Sequence, residues 1–277
     1  MGRPESIQLI PIRAELRFER FDLAEVILDE MRRNHVFLRN RDIVVVSSKF
    51  AAVSEGRVVI LCEVIPTREA IDLAKSFRVS PALAQLVIEE SSLILGGIPG
   101  FVLALTGEVL APNAGIDRSN APKGSAVLYP KNPMKSAGEL HRKLLAKTNR
   151  GRRAAGISQL GVILSDSRVT PTRLGTTGIA IAFAGIRPTV DMRGKRDLFA
   201  NKLKVTLRAL ADQLASAAQI PMGEASESTP IVIIRGAESA FEHPRNELER
   251  RASISVDRCL IISGLKKGYK DKKRKIV

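Results

Sequence analysis

Four side chains with oxygen donors stand in polar or glycine-containing segments beside expected strands and helices: Asp117, Asp166, Ser167 and Glu224. The end of a strand is rigid, and the loop that follows it can lie over a ligand. Carboxylate and hydroxyl oxygens are the ligands that Mg²⁺ and Mn²⁺ prefer, especially where phosphate groups fill the remaining positions. If the fold brings these side chains together, they predict a divalent metal site that handles phosphate. Taken singly, each aspartate also fits a turn or a helix cap, and Glu224 fits a solvated loop charge.

Other catalytic patterns are missing from the sequence. The histidines lack the spacing of a metal-binding helix, and no Walker-type or dinucleotide-binding glycine motif occurs. No GxSxG segment occurs, and neither Cys62 nor Cys259 has an evident base partner. A nucleotide must therefore be bound in another way, and no covalent enzyme intermediate is expected.

Segments with helical and strand periodicity alternate along the chain, which predicts an α/β or α+β fold. The expected strands are 7–12, 43–46, 58–61, 101–106, 125–129, 160–165, 178–184 and 231–234. The expected helices begin after Asp22, after Thr67 and at Ser80, and two more cover 133–150 and 205–220. Asp22 and Ser80 are expected N-caps. Residues 1–264 are expected to form the globular part, with a break between two subdomains near the Arg- and Gly-rich segment 151–156.

The chain is basic, with 44 Lys and Arg against 29 Asp and Glu and a net charge of +15. Such an excess suits anionic partners, namely nucleotides, acidic metabolites or nucleic acid. Seven basic residues and one acidic residue lie in 265–277, which we expect to be a disordered tail that binds nucleic acid weakly if at all. The absence of Trp argues against a stacking platform for single strands.

The location is expected to be cytoplasmic. No apolar run approaches the roughly 20 residues of a membrane span, and the first residues do not resemble a signal peptide. The two cysteines are too far apart in sequence to predict a disulfide framework or a thiolate zinc site.

Four motifs follow one another in the chain: Asn113-Ala114-Gly115-Ile116-Asp117-Arg118-Ser119-Asn120, Ile163-Leu164-Ser165-Asp166-Ser167, Asp191-Met192-Arg193-Gly194-Lys195-Arg196-Asp197-Leu198-Phe199 and Met222-Gly223-Glu224. Their order and spacing, held from about Ile7 to Arg235, resemble the coenzyme F420-0:L-glutamate ligase (F420-0:gamma-glutamyl ligase) family. The first motif is the most specific of the four. The last forty or so residues lie outside the resemblance.

The resemblance implies an α/β fold peculiar to that family, with a mixed sheet and an intertwined homodimer. It implies that GTP phosphorylates a carboxylate of F420-0 and that the amine of L-glutamate then attacks the acyl phosphate. GDP and phosphate are released, and a second, γ-linked glutamate can follow.

The resemblance also assigns residues to the site. Candidate ligands of two Mg²⁺ or Mn²⁺ ions, with K⁺ as an additional ion, are Asp117, Asp166, Ser167 and Glu224. Asp117 and Asp166 are also the candidate catalytic residues. Candidate nucleotide contacts are Arg13, Ser48, Lys49, Asn120, Met222 and Gly223.

Two stretches depart from the family pattern. The family usually has Ser-Lys-Ala-Glu-Gly after the valine-rich strand, whereas Val53 here stands in place of that nucleotide-binding lysine. We expect Lys49 to supply the charge and a lysine to be tolerated at position 53. After Asp166, the stretch 167–175 keeps a hydroxyl but only part of the family's arginine pattern. The nucleotide and the acceptor therefore stay open, and the alternatives are a related ligase with another acceptor or nucleotide and a basic nucleic-acid-binding protein.

Overall fold

A mixed five-stranded sheet lies at the centre of the protein, whose computed structural model describes residues 6–150 and 156–267. The strands in chain order are β1 (Gln8–Ile12), β2 (Ile43–Ser47), β3 (Val58–Ile60), β4 (Leu93–Ile98), β5 (Phe101–Thr106), β6 (Val109–Pro112), β7 (Ser125–Val127), β8 (Gly161–Val169), β9 (Thr176–Ala184), β10 (Thr189–Asp191), β11 (Leu207–Ala209) and β12 (Ile231–Arg235). The α-helices are α1 (Leu23–Arg33), α2 (Ser48–Ser54), α3 (Arg68–Phe77), α4 (Pro81–Glu90), α5 (Pro133–Asn149), α6 (Leu210–Met222) and α7 (Leu260–Lys267). The central sheet has the order β1-β12-β2-β8-β9, in which β2 and β8 are parallel and the other neighbours are antiparallel. The α/β class and the mixed sheet are therefore confirmed.

Helices cover both faces of this sheet. Because side chains alternate along a strand, Val44 and Val46 pack into the cluster that contains α1 and α5, while Ile43 and Val45 pack into the cluster that contains α6. All four residues are fully buried, as expected for a strand covered on both sides. The sheet is thus a rigid platform for the residues that follow β2 and β8.

A second region, inserted between β3 and α5, carries the loop 113–120. Its antiparallel sheet β4-β5-β6 packs on α3 and α4, with Leu83, Val87 and Val102 in the shared cluster. The opposite face of this sheet leaves Ile98 and Phe101 more than half exposed.

The predicted helix starts at Asp22 and Ser80 are confirmed. The Asp22 carboxylate accepts a hydrogen bond from the backbone N of Glu25 at 3.0 Å. The Ser80 hydroxyl accepts one from the backbone N of Leu83 at 3.2 Å. Each side chain satisfies a backbone donor that has no partner inside its helix.

The single helix predicted over 205–220 is wrong at its start. Residues 207–209 form strand β11, which pairs with β10, and α6 begins only at Leu210. The leucine at 207 continues the helical spacing of Leu210 and Leu214, but it is exposed, whereas the other two are buried. Pairing with a distant strand therefore overrides the local periodicity.

Other parts of the fold also differ from the sequence prediction. Strands β4, β6 and β10 are not among the expected ones, and β8 extends through Val169 because β9 pairs with it over that whole length. The predicted tail boundary at 265 falls inside α7, which continues to Lys267. Residues 268–277 and nearly all of the predicted break at 151–156 lie outside the described residues.

One buried carboxylate joins the segment after β12 to β10. Glu249 is completely buried and accepts hydrogen bonds from the backbone N of Asp191 at 2.9 Å and of Arg245 at 2.7 Å. A guanidinium nitrogen of Arg187 lies 3.6 Å from the same carboxylate. Hydrogen bonding to the Arg245 guanidinium lowers the pKa of Glu249 to about 2, although burial opposes the shift.

Across 6–150 and 156–267, none of the helices combines the length and the apolar character that crossing a membrane requires.

Candidate functional site

A cavity of about 410 Å³ lies beside the carboxyl end of β2, and both candidate catalytic aspartates line it. Ser48 and Lys49 enter it directly after β2, and Asp166 and Ser167 enter it from β8. Because β2 and β8 are parallel, with Ser47 opposite Ser165, the residues that follow these positions meet at one edge of the sheet. Asp117 reaches the same cavity from the inserted region.

Asp166 lies inside a strand, not after one as the sequence suggested. The pairing of β8 with β9 shifts by one residue between Leu164 and Ser165. Such a bulge twists a strand and redirects the side chains beyond it. Asp166 and Ser167 are thus carried on paired, extended backbone, which is more rigid than a loop.

The Asp117 loop is held by backbone bonds and by a tight turn. The backbone groups of Asp117 and Val127 exchange two hydrogen bonds of 3.0 and 2.8 Å. The turn before Asp117 is tied down because the Asn113 side chain accepts a hydrogen bond from the backbone N of Val102 at 2.9 Å. Gly115 in this turn has a positive φ of 75°, and a Cβ at this position would overlap the ring of Tyr129. Only glycine fits both conditions.

Lys49 forms an ion pair with Asp117 at the cavity wall. Its ammonium nitrogen lies 2.6 Å from Oδ2 of Asp117, 2.7 Å from the carbonyl oxygen of Ser119 and 3.0 Å from the Ser119 hydroxyl. Burial acts to raise the pKa of Asp117, but the hydrogen bonds from Lys49 and Ser119 outweigh it and lower the pKa. Asp117 is therefore held as a carboxylate.

At Asp166, in contrast, the effects that raise the pKa outweigh those that lower it. Burial raises its pKa, and the charge of Asp117 adds to the shift, although hydrogen bonds from Tyr129, the Ser167 backbone and Ser48 oppose it. The two carboxylates line the same cavity, and their negative charges repel each other. Two carboxylates held together in one cavity are a favourable arrangement for a cation.

Tyr129 is a buried member of this site that sequence reasoning missed. Its hydroxyl donates a hydrogen bond to Oδ2 of Asp166. Burial, reinforced by the Asp166 charge, raises the pKa of Tyr129 well above its ordinary value, so the hydroxyl stays protonated. The only available signal was a tyrosine at the end of the expected strand 125–129, in a chain that has only two.

Glu224 lies beside the cavity, not in it. It is exposed, and it accepts hydrogen bonds from the Gln219 side chain and, at 3.1 Å, from the hydroxyl of Thr176, a residue that lines the cavity. Met222 ends α6 and Gly223 is its C-cap. These three residues do not line the cavity.

Asn120 joins the two loops that border the site. Its side-chain nitrogen donates to the carbonyl oxygen of Ala225 at 2.7 Å, which connects the loop 113–120 to the segment after α6. Arg13 is exposed and does not line the cavity, but the next residue, Ala14, donates its backbone N to the carbonyl oxygen of Ser228 at 3.0 Å. Asn120 and Arg13 therefore both lie near the segment 224–228.

Val53 stands where the family has a lysine, and this position is buried. It is 5% exposed in α2 and packs with Ala52 and Val127. An ammonium group at this position would have to be buried without a partner or would disturb the packing. The burial of Val53 argues against the expectation that lysine is tolerated at this position, which stays a prediction, whereas Lys49 does line the cavity.

The predicted metal ligands are brought together only in part. Asp117, Asp166 and Ser167 supply oxygen donors to one cavity, which is the chemistry that suits Mg²⁺ or Mn²⁺. Over the two described ranges, however, no three His, Cys, Asp or Glu side chains are grouped closely enough to hold a metal. Lys49 occupies one side of Asp117, and Glu224 is engaged with Thr176.

Comparison with known proteins adds independent evidence. The model of a family described as F420-0:gamma-glutamyl ligase matches residues 11–236. A Methanopyrus kandleri protein named coenzyme F420:L-glutamate ligase is 34% identical over 256 residues, which cover 92% of this chain and 96% of that protein. A Methanocaldococcus jannaschii protein of the same name is 39% identical over 206 residues, which cover 74% and 79% of the two chains. The matched region contains Asp117, Asp166 and Glu224. The chain therefore belongs to the F420-0:gamma-glutamyl ligase family.

Proposed function

We propose that this protein joins L-glutamate to coenzyme F420-0 by an amide bond and hydrolyses GTP to GDP and phosphate. The proposal is supported by family membership and by relatives named coenzyme F420:L-glutamate ligase. The single structural observation that carries it is the pair of carboxylates, Asp117 and Asp166, that line one cavity with the basic residue Lys49. This arrangement suits phosphate chemistry, since metal ions and basic side chains neutralise the charge of a phosphate group and carboxylates bind the metal ions.

In this proposal Asp117, Asp166 and Ser167 hold two Mg²⁺ or Mn²⁺ ions, with K⁺ as an additional ion. When bound, the divalent ions would neutralise phosphate oxygens. Glu224 joins these ligands when the segment that carries it leaves Thr176 and turns toward the cavity. The repulsion between the two aspartates would favour such binding, because the charge of a bound cation would offset it.

Nucleotide contacts come from both borders of the cavity. Lys49 moves its ammonium group from Asp117 to a phosphate as cations take over its role beside the carboxylate, and Ser48 offers a hydroxyl close by. The remaining predicted contacts border the segment 224–228: Arg13, Asn120, Met222 and Gly223.

The reaction balances without a covalent enzyme intermediate. A carboxylate oxygen of F420-0 attacks the γ-phosphorus of GTP and GDP leaves, which gives an acyl phosphate. The amine of glutamate then attacks the acyl carbon, loses a proton and expels phosphate, so one oxygen of the original carboxylate leaves with the phosphate. For a second glutamate, the γ-carboxylate of the first glutamate is phosphorylated by another GTP, and the amine of the second glutamate attacks that acyl phosphate and expels phosphate.

We further propose a homodimer that covers the exposed face of the sheet β4-β5-β6. Ile98 and Phe101 on this face are more than half exposed, and Phe101 also lines the cavity. Burial of such a face against a second copy removes apolar surface from water. A cytoplasmic location fits the two free cysteines, Cys62 and Cys259, because thiols stay reduced there.

The labelling of one atom tests the reaction. With ¹⁸O in the F420-0 carboxylate, the released phosphate should carry the label, and GDP should form in step with the glutamyl product. Release of AMP and pyrophosphate, or phosphate without label, would rule the mechanism out. Parallel assays with other nucleoside triphosphates and other carboxylate acceptors test the related ligase that the changes at Val53 and 167–175 leave open.

A further inference from the structure

Tyr129 is fixed at both its backbone and its ring. The residue is 5% exposed, and its carbonyl oxygen accepts a hydrogen bond from Nε of Arg57 at 2.9 Å. The backbone N of the preceding residue, Leu128, donates to the carbonyl oxygen of Arg57 at 3.0 Å. The guanidinium of Arg57 is itself paired with Glu90. The phenol therefore enters the site from a firmly held stretch of chain.

The same side chain contacts both segments that carry the aspartates. Its hydroxyl donates to Asp166 on β8, and its ring lies against Gly115, two residues before Asp117. The backbone of Asp117 is in turn bonded to Val127, two residues before Tyr129. One residue thus connects the position of the Asp117 turn to the orientation of the Asp166 carboxylate.

We infer that Tyr129 is a positioning residue of the ligase site: its hydroxyl orients the Asp166 carboxylate and thereby sets the affinity of the site for a divalent cation. The inference rests on the proposed function, because it assigns a role toward the proposed metal. A carboxylate that is hydrogen-bonded by a fixed donor loses little rotational freedom when it binds a cation. Loss of such a partner of a metal ligand typically weakens metal binding by about 10- to 100-fold.

Mn²⁺ binding in the absence of substrates tests the inference directly. Free Mn²⁺ is measured by electron paramagnetic resonance during titration of the full-length protein and of Tyr129→Phe, which removes only the hydroxyl. We expect at least about a tenfold higher Kd for the variant. Thr189→Val is the matched control, because it removes a buried hydroxyl that donates at 2.7 Å to the carbonyl oxygen of Arg251 and does not line the cavity. Its Kd for Mn²⁺ should equal that of the wild type.

The fluorescence of Tyr129 gives a second measurement on a protein with the site intact. The chain has two tyrosines and no tryptophan, so in Tyr269→Phe the only tyrosine fluorescence comes from Tyr129. Mg²⁺, which does not quench, should change this emission in a saturable way as it alters the charge on Asp166. Asp166→Asn in the same background should abolish the response.

The outcomes separate the inference from the proposed function. A wild type that binds no Mn²⁺ overturns the metal part of the proposed function and the inference with it. Equal Mn²⁺ affinity in wild type and Tyr129→Phe overturns the inference alone. If Tyr129→Phe is also less stable, the Mg²⁺ titration of Tyr269→Phe decides: Tyr129 emission that does not change, in a protein that binds Mn²⁺, overturns the inference, and a saturable change supports it.

Discussion

The ammonium group of Lys49 lies 2.6 Å from the carboxylate of Asp117, so the candidate nucleotide contact and a candidate metal ligand neutralise each other in this structure. The basic residue that follows β2 thus holds the loop 113–120 in place. Its two further hydrogen bonds, both to Ser119, strengthen that hold. This relationship predicts that Lys49 and a cation compete for Asp117.

Substitution of Lys49 tests this competition. We expect Lys49→Ala to raise the GTP concentration needed for half-maximal rate by roughly 10- to 100-fold, the loss of a charged hydrogen bond of about 1.5–3 kcal/mol. Lys75→Ala, an exposed change on α3 that does not line the cavity, is the charge-matched control and should leave the GTP requirement unchanged. An unchanged GTP requirement with tighter Mn²⁺ binding in Lys49→Ala would show that Lys49 only occupies the place of a metal ion.

Removal of one carboxylate charge at a time tests which of the three acidic side chains the reaction requires. We expect Asp117→Asn and Asp166→Asn each to lower turnover by about 10³-fold or more, since each loses an anionic ligand for phosphate-bound cations. Glu224→Gln should also lower turnover, because in the proposed function Glu224 joins these ligands once it leaves Thr176. Melting temperatures and circular dichroism check that the variants fold.

The control for these variants is Asp72→Asn, an exposed aspartate on α3 that pairs only with Arg68, at 3.3 Å, among the described residues. It should keep full turnover. Near-normal rates in purified Asp117→Asn or Asp166→Asn would remove that residue from the mechanism. A normal rate in Glu224→Gln would show that Glu224 stays beside the cavity and binds no metal ion in the working complex.

Glu249 predicts an acid-dependent part of the stability. Its pKa in the folded protein, about 2, lies below the ordinary value of 4.5, so its ion pairs stabilise the fold above pH 4.5. That contribution is lost as the pH falls from 4.5 toward 2, because the carboxylate is protonated first in the unfolded state and then, near pH 2, in the folded state as well. We expect Glu249→Gln to cost about 3 kcal/mol at pH 7, since two arginines lose a buried partner.

Urea unfolding of both proteins between pH 7 and pH 2 measures this effect. The gap between wild type and Glu249→Gln should be constant above pH 4.5 and should narrow below it. Glu247→Gln is the control, because this neighbouring carboxylate is exposed and lies 3.7 Å from its Arg250 partner, so it should change stability by less than about 1 kcal/mol. A gap that does not vary with pH would show that Glu249 acts by packing alone.

Truncation after Gly264 should leave the melting temperature and turnover unchanged. The removed part carries +6 of the net charge, and Leu265, its one described apolar side chain, is 80% exposed. Retention on heparin should weaken, because non-specific binding to polyanions depends on the number of cations. A clear fall in melting temperature would show that the tail docks on the protein, and a loss of turnover alone would assign it a part in the reaction.

The sequence determined those features that depend on neighbouring residues. Asp22 and Ser80 predicted the helix starts because a capping side chain bonds a backbone group three residues away. The run Ile43–Val46 predicted a buried strand because a sheet covered on both faces needs apolar side chains on both. The motifs around Asp117 and Asp166 indicated the family because their order and spacing are unusual.

Tertiary structure alone decided which groups meet. Leu207 continues a helical pattern, yet it lies in β11 because a strand sixteen residues or more upstream is available for pairing. Tyr129 became part of the site only when β7 and β8 brought its hydroxyl to Asp166, 37 residues away in sequence. Val53 is buried because the fold packs it against Val127, which is 74 residues away in sequence. Such contacts depend on long-range geometry, which no local pattern of residue types specifies.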